Sequence, residues 1–147
     1  MPTRHVTHHF AKHDSTHLES IQDYMTSPVI EISANSSIKE AVHLMKSKNI
    51  GSLFVKEKTE FVGMITDTVI SHSVVVGGME PDSTKVSMVM IHPIPTMDHR
   101  ENLEEANSFM ARHNIRHLGV TKNGKIMGVL SVKDLVSFFA NPRLRTW

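Results

Sequence analysis

The chain ends one apolar run with GVLSVKD, residues 128–134, and ends an earlier one with GMITDTV, residues 63–69. Each stretch places a hydroxyl side chain three positions after a glycine: Ser131 in the later stretch and Thr66 in the earlier one. Three positions further on, the later stretch has Asp134 where the earlier one has Val69. The pair predicts a duplicated unit whose copies have diverged at one chemically important position.

The duplication extends well beyond these two stretches. Shifting the sequence by 65 positions aligns residues 21–70 with residues 86–135 without a gap, and ten positions are identical. Roughly three identities would be expected by chance at ordinary residue frequencies. A fixed period of this kind indicates a fold built by duplication.

Each copy gives the same series of secondary-structure signals. An extended run is followed by SIKE, residues 37–40, or NLEE, residues 102–105, and each of these has the form of a capping box that opens a helix. Apolar residues then recur at helical spacing. Two strands follow, joined in the second copy by KNGK, residues 122–125, a strong hairpin signal. Second helices are predicted over 67–76 and 132–139, so each copy reads β-α-β-β-α.

These elements predict an α+β fold. A unit of about fifty residues buries too little surface to be stable alone. We therefore expect the two copies to pack on each other with pseudo-twofold symmetry. The predicted organisation is a His-rich N-terminal segment over 1–20, mobile or partly helical, a first repeat over 21–76, a linker over 77–85, a second repeat over 86–140 and a basic tail over 141–147.

Composition narrows the classes of function. The 147 residues carry a net charge of +1, so no overall field attracts nucleic acid or an anionic membrane. There is no cysteine, which excludes disulfides and thiol chemistry and is compatible with the cytoplasm. No apolar run is long enough to span a bilayer. We expect a cytoplasmic protein that binds neither nucleic acid nor membrane.

The repeat resembles the CBS domain, and residues 21–139 resemble a tandem CBS pair, or Bateman module, of the short stand-alone type. The residues that carry the resemblance are YMTSPVI and VMIHPIP, the helices IKEAVHLM and LEEANSFM, and the closing FVGMIT and IMGVLSVKD. The resemblance implies a regulatory or sensor module without catalytic activity. Such modules bind adenosine-containing ligands, such as AMP, ATP, NAD(H) or S-adenosylmethionine, in the cleft between the repeats, and they usually form homodimers.

The resemblance assigns chemistry to the closing motif. A ribose has two adjacent hydroxyl donors, and a carboxylate accepts strong, charge-assisted hydrogen bonds from such donors. Ser131 and Asp134 are therefore implied to contact the ribose and phosphate of one ligand, with Gly128 bringing the backbone close. The first copy retains Thr66, but Val69 cannot accept a hydrogen bond. We expect one competent site, in the second copy.

Further ligand-binding candidates follow from the family pattern. Thr96 lies where the family has a threonine near the adenine, and Glu31 is its aligned partner. Ile94 is an apolar candidate for the adenine slot, although a place in the hydrophobic core is the favoured explanation for this residue. Arg116 and His117 begin the strand that faces the ligand in this family and could neutralise phosphate, or they could form a solvated basic helix end.

Several alternatives remain open from the sequence. Asp134 also suits the first turn of a helix without any ligand, because a negative charge favours the helix N-terminus. His9 and His13 are spaced so that they could share a metal on a helix, but adventitious binding by a mobile tail is favoured. The alternative function is a ligand-independent dimeric scaffold that regulates a partner protein. The apolar residues predicted to be covered by a homodimer are Val69, Val74, Val75, Leu135, Phe138 and Phe139.

Overall fold

The computed structural model describes residues 6–8 and 19–140 of the 147-residue chain. The first copy comprises β2 (Glu31–Ser33), α1 (Ile38–Lys48), β3 (Ser52–Glu57), β4 (Glu60–Thr66) and α2 (Asp67–Ser71). The second comprises β5 (Pro95–Asp98), α3 (Leu103–His113), β6 (His117–Lys122), β7 (Lys125–Ser131) and α4 (Val132–Ala140). The predicted order β-α-β-β-α is thus confirmed in both copies. A strand that the sequence did not predict, β1 (Val6–His8), lies within the N-terminal segment.

The first helix of each copy begins and ends with the same chemistry. The Ser37 side chain accepts a hydrogen bond from the Glu40 amide at 3.1 Å, and the Asn102 side chain accepts one from the Glu105 amide at 2.8 Å. Each helix ends at an asparagine in the left-handed region, which asparagine tolerates better than most residues. The predicted apolar stripe is buried in both helices: Ile38, Ala41 and Met45 in α1, and Leu103, Ala106 and Met110 in α3.

Each copy forms a small mixed sheet. Strands β3 and β4 pair antiparallel, as do β6 and β7, and the predicted turn at Asn123–Gly124 has the positive φ angles that such hairpins need. Strand β2 lies parallel to β3, and β5 lies parallel to β6. The first sheet has the order β2-β3-β4, whereas the second has the order β1-β5-β6-β7 because β1 adds parallel to β5.

Two compact units result, and each combines segments from distant parts of the sequence. Within the described residues, the first unit covers 29–94 and the second covers 6–8, 19–28 and 95–140. In the first unit, the backbone of Met64 in β4 pairs with that of Ile91. In the second unit, Thr26 pairs with Val129 in β7. The segment that opens each predicted repeat in the sequence therefore pairs with a strand of the other repeat's unit.

The glycines of the closing motifs have a packing role at these junctions. A Cβ atom on Gly128 would collide with the Met25 side chain and lie 3.0 Å from the carbonyl oxygen of Thr26. A Cβ atom on Gly63 would meet Met90 in the same way, and it would lie 3.0 Å from the carbonyl oxygen of Ile91. Each glycine thus allows a methionine of the incoming segment to pack against its strand.

The second helices occupy the predicted places but differ in form. Helix α2 is a five-residue α-helix that continues with π-helical geometry over His72–Val76, whereas α4 is a nine-residue α-helix. Leu135 of α4 is buried in the core of its unit, and Phe138 and Phe139 pack against that core. Among the described residues, no helix combines the length and apolar character needed to cross a membrane.

Candidate functional site

The corner between β7 and α4 holds the two residues that the closing motif singled out. The Ser131 amide and hydroxyl both donate hydrogen bonds to Oδ2 of Asp134, at 2.8 Å and 3.0 Å. The Asp134 amide donates in return to the Ser131 hydroxyl oxygen at 3.3 Å. Both residues are half-buried. The pair therefore forms a reciprocal cap of α4 and fixes the position of the carboxylate.

This cap leaves the carboxylate with spare capacity. Both hydrogen bonds to it end on Oδ2, and within the described part of the chain no donor reaches Oδ1. An ionised carboxylate has about four lone-pair positions and accepts without donating. Asp134 can therefore cap α4 and accept hydrogen bonds from a ligand at the same time, so the two interpretations of this residue are compatible.

The corresponding corner of the first unit keeps the hydroxyl and lacks the carboxylate. Thr66 caps α2 by accepting a hydrogen bond from the Val69 amide at 3.2 Å, and its side chain is buried. Val69 packs against the core of the first unit. Asp67 does not replace the missing group, because it lies two positions earlier and therefore about 200° around the helix axis. Its Oδ1 accepts a hydrogen bond from the adjacent Thr68 amide at 2.8 Å. The first corner is capped, but it offers no acceptor at the motif position.

The positions assigned to the adenine differ just as much. Thr96 is completely buried on β5, between Thr7 of β1 and Gly119 of β6. Its aligned partner, Glu31, lies on β2 at the edge of its sheet and forms an ion pair with Lys56 at 3.4 Å. A charged pair thus occupies the first unit where the second has a neutral hydroxyl.

The basic candidates lie at the same end of the sheet as the cap. His117 is directly opposite Ser131 in the β6–β7 pair. The backbone carbonyl of Arg116 accepts a hydrogen bond from the Val132 amide at 2.9 Å, and the Arg116 side chain is exposed. The second unit therefore brings Arg116, His117, Ser131 and Asp134 together at the N-terminus of α4.

Three other candidates are placed elsewhere, and two lie outside the described residues. Gly128 lies in β7, where the Met25 side chain packs against it. Thr66 belongs to the first unit. Ile94 also falls in the first unit and is fully buried, as expected for a core residue. His9 and His13 lie outside the described residues. No cluster of three or more metal-ligating side chains occurs in the parts of the chain that the structure describes.

The turn after β5 carries an ion pair that the sequence did not reveal. The Arg100 amide and its Nε both donate to Oδ1 of Asp98, each at 2.9 Å. Burial tends to raise the pKa of Asp98, but the hydrogen bonds and charge of Arg100 outweigh it and lower this pKa below its ordinary value. The pair fixes the turn that leads from β5 into α3.

Comparison with known proteins identifies the fold and family. The CBS domain family model matches residues 21–75 and 86–141. The CBS domain-containing protein YhcV of Bacillus subtilis is 34% identical over 118 residues, covering 80% of this chain and 84% of that protein. An uncharacterised conserved protein of Pyrococcus horikoshii superposes with a TM-score of 0.78 at 31% identity, covering 87% of this chain and 96% of that one.

A further solved structure carries ligands. The CBS domain pair of MJ0100, in complex with 5′-methylthioadenosine and S-adenosyl-L-methionine, superposes with a TM-score of 0.74 at 21% identity, covering 84% of this chain and 97% of that chain. At this identity the likeness concerns the fold alone. Together with the duplicated β-α-β-β-α units, the family match establishes that this chain belongs to the CBS-domain family as a tandem CBS pair.

Proposed function

We propose that this chain is a non-catalytic sensor that binds an adenosine-containing ligand through the corner between β7 and α4. The ligand class comprises AMP, ATP, NAD(H) and S-adenosylmethionine. Asp134 would accept hydrogen bonds from the ribose hydroxyls. Ligand binding would then regulate a partner protein.

The observation that carries this proposal is the geometry of the Asp134 carboxylate. Its Oδ2 is held by the amide and hydroxyl of Ser131, while Oδ1 receives no donor from the described residues. A group already fixed in place loses little conformational freedom on binding, and this favours affinity. The half-buried position also limits competition from water, so a hydrogen bond to this charged group is worth about 1.5–3 kcal/mol.

The surroundings of the carboxylate favour a ligand that also carries phosphate. The exposed Arg116 side chain starts close to the first turn of α4, since the Arg116 carbonyl is bonded to the Val132 amide. Anions are stabilised at helix N-termini, and arginine binds phosphate through a planar fork of donors. A nucleotide is therefore favoured over adenosine alone.

The comparison with MJ0100 supports the ligand class. That structure contains two adenosyl compounds, so this fold accommodates an adenosine moiety. In the present chain, the second unit has both the hydroxyl and the carboxylate of the closing motif, and the first has only the hydroxyl. We therefore propose one ligand per chain.

A ligand panel tests the proposal. Thermal unfolding is followed with adenosine, AMP, ATP, NAD(H) and S-adenosylmethionine, with GMP as a control that keeps ribose and phosphate but changes the base. A ligand present at one hundred times its dissociation constant stabilises the folded state by about 2.7 kcal/mol. The proposal expects such a shift for at least one adenosyl compound and a smaller one for GMP. No shift with any adenosyl compound would reject it.

A ligand-independent dimeric scaffold is the second candidate. The reciprocal hydrogen bonds between Ser131 and Asp134 favour it, because they give both side chains a structural role without a ligand. Of the six apolar residues expected at a homodimer interface, Val75 is 78% exposed, whereas Leu135 is buried within its own unit. The exposed apolar side chains available to a second copy include Val75, Val76, Met88 and Val136.

A further inference from the structure

The N-terminal strand β1 lies against the strand that carries the proposed adenine contact. Val6, Thr7 and His8 pair in parallel with Pro95, Thr96 and Met97. Strand β1 occupies the outer position in its four-stranded sheet. In the described part of the first unit, no strand pairs with the corresponding outer edge of β2.

The two aligned positions differ in accessibility in the way this pairing predicts. The Glu31 side chain, on the open edge of β2, is 52% exposed. Thr96, which has β1 beside it, is 0% exposed. Thr96 is also the smaller residue, and Gly119 on its other side has no side chain to cover it. Strand β1 is thus a structural difference between the two units that accompanies the loss of access at this position.

We propose that β1 is a displaceable strap that competes with the adenosyl ligand for the space beside Thr96. This inference rests on the proposed function, because it concerns regulation of the same site. Ligand binding would release β1 from β5, and the displaced strand would be the output signal. The protein would then respond to the nucleotide through the position of β1.

The length and pairing of β1 suit a reversible contact. The strand has three residues, and parallel pairing is slightly weaker per residue than antiparallel pairing. An edge strand is held by one neighbour, so it detaches without disturbing the pairing of β5 with β6. If only a fraction of molecules has β1 displaced, the apparent ligand affinity falls to that fraction of its intrinsic value.

Proline substitutions in the full-length chain test the competition. Alternate residues of an edge strand donate to its neighbour, and proline removes the donor. One of two variants, Thr7→Pro or Val6→Pro/His8→Pro, must therefore weaken the pairing with β5. Thr7→Val is the matched control, because it keeps the backbone donor and a β-branched side chain. The probe is the adenosyl compound that gives the largest thermal shift, and affinity is measured by calorimetry.

We expect at least one proline variant to bind this compound about fivefold more tightly or better, and Thr7→Val to bind like the wild type. Unchanged or weaker binding in both proline variants would overturn the strap while leaving the proposed function intact. Absence of binding by every form, the wild type included, would reject both proposals.

Hydrogen exchange on the wild-type protein gives a second test that needs no variant. Adding the ligand should speed exchange of the backbone amides in Val6–His8, because they lose their partners on β5. Slower or unchanged exchange in these amides at saturating ligand would show that β1 stays in place. That result would overturn the strap whatever the affinities of the proline variants.

Discussion

The two strand-to-helix corners share the same capping arrangement, but they differ in the hydrogen-bond acceptors at the start of the helix that follows. Ser131 and Thr66 both cap the helix that follows, and both motifs use a glycine to admit a methionine. At the seventh motif position, the second corner has a carboxylate whose Oδ1 receives no donor from the described residues, and the first has a valine that packs against the core. The capping residue and the glycine are thus present in both copies, while the carboxylate to which we assign ligand binding is present only in the second.

The comparison also shows that a helix cap does not require a carboxylate at the last motif position. Both corners are capped, and the first is capped by Thr66 without such a carboxylate. In the first corner, the Asp67 carboxylate lies two positions earlier, and its Oδ1 accepts from the Thr68 amide. In the second corner, Asp134 is the last motif residue, and no donor among the described residues reaches its Oδ1. A carboxylate at this position is the difference to which we assign ligand binding.

The largest effect is expected from Asp134→Ala. It should weaken binding of the adenosyl ligand ten- to hundredfold, as expected when hydrogen bonds to a charged group are lost. It should also lower the free energy of unfolding by about 1 kcal/mol, because the reciprocal cap is lost. Calorimetry and chemical denaturation measure the two quantities.

Asp67→Ala is the matched control for that variant. It removes a capping carboxylate from the other corner and should lower stability by a similar amount, about 1 kcal/mol, with unchanged affinity. Equal losses of affinity in the two variants would mean that the corners do not differ in binding.

Substitution of the two glycines tests what the corners share. In Gly128→Ala and Gly63→Ala, the added methyl group meets a methionine side chain and lies 3.0 Å from a carbonyl oxygen. Each should lower the free energy of unfolding by about 1–3 kcal/mol, the usual range for overpacking. Lys125→Ala, at the exposed start of β7, serves as the control. A loss at one glycine only would break the equivalence of the two junctions.

Introducing the missing carboxylate into the first corner tests the proposed difference in ligand binding between the two units. The wild type is expected to bind one ligand per chain, and Val69→Asp alone should not add a second, because Glu31 and Lys56 still occupy the adenine position. Glu31→Thr combined with Val69→Asp should create a second, weaker site, at least about tenfold weaker since no equivalent of Arg116 is present. Two equal sites in the wild type would contradict the proposed loss.

The smallest effect concerns pH and the turns after β2 and β5. The pKa of Asp98 is lowered in the folded protein, so its ionisation stabilises the fold above about pH 3.8, and this contribution is lost as the pH falls through the folded pKa. Asp98→Asn should therefore be less stable than the wild type at pH 7, with a difference that shrinks in acid.

The aligned residue of the first unit provides the comparison for that experiment. Ser33 accepts from the Asn35 amide at 3.3 Å, as Asp98 accepts from the Arg100 amide, but it does not ionise in this range. Ser33→Ala should cost the same stability at pH 7 and in acid. Denaturation at several pH values measures both variants, and a pH-independent cost for Asp98→Asn would contradict the ion-pair interpretation.

The parts of the fold that the sequence predicted are those that depend on residues close together in the chain. The helices, the N-cap hydrogen bonds at Ser37 and Asn102 and the Asn123–Gly124 hairpin depend on residues within a few positions of one another, and they were found as expected. The reciprocal bond that would complete the predicted capping box at Ser37 is not among the contacts of the described residues. The predicted second helices also formed, although nothing in the sequence indicated the π-helical continuation of α2.

Pairings between distant segments were not predictable in the same way. Strand β1 is three residues long and is stabilised by β5, far away in the chain, so it leaves no periodic signal. The Glu31–Lys56 ion pair joins two residues on adjacent strands, and these residues are 25 positions apart in the sequence. The repeat directed attention to Ser131 and Asp134, whereas the burial of Thr96 depends on its surroundings in the folded chain and could not be predicted from the repeat.

The most direct test of the ribose contact compares AMP with its 2′-deoxy form on the wild type and on Asp134→Ala. If Asp134 binds the ribose hydroxyls, removing the hydroxyl weakens binding to the wild type at least about tenfold, and it has little further effect on the variant. The coupling energy in this cycle would then be about 1.4 kcal/mol or more. If Asp134 acts only by capping α4, the variant weakens both ligands by the same factor. A coupling energy near zero would contradict the account.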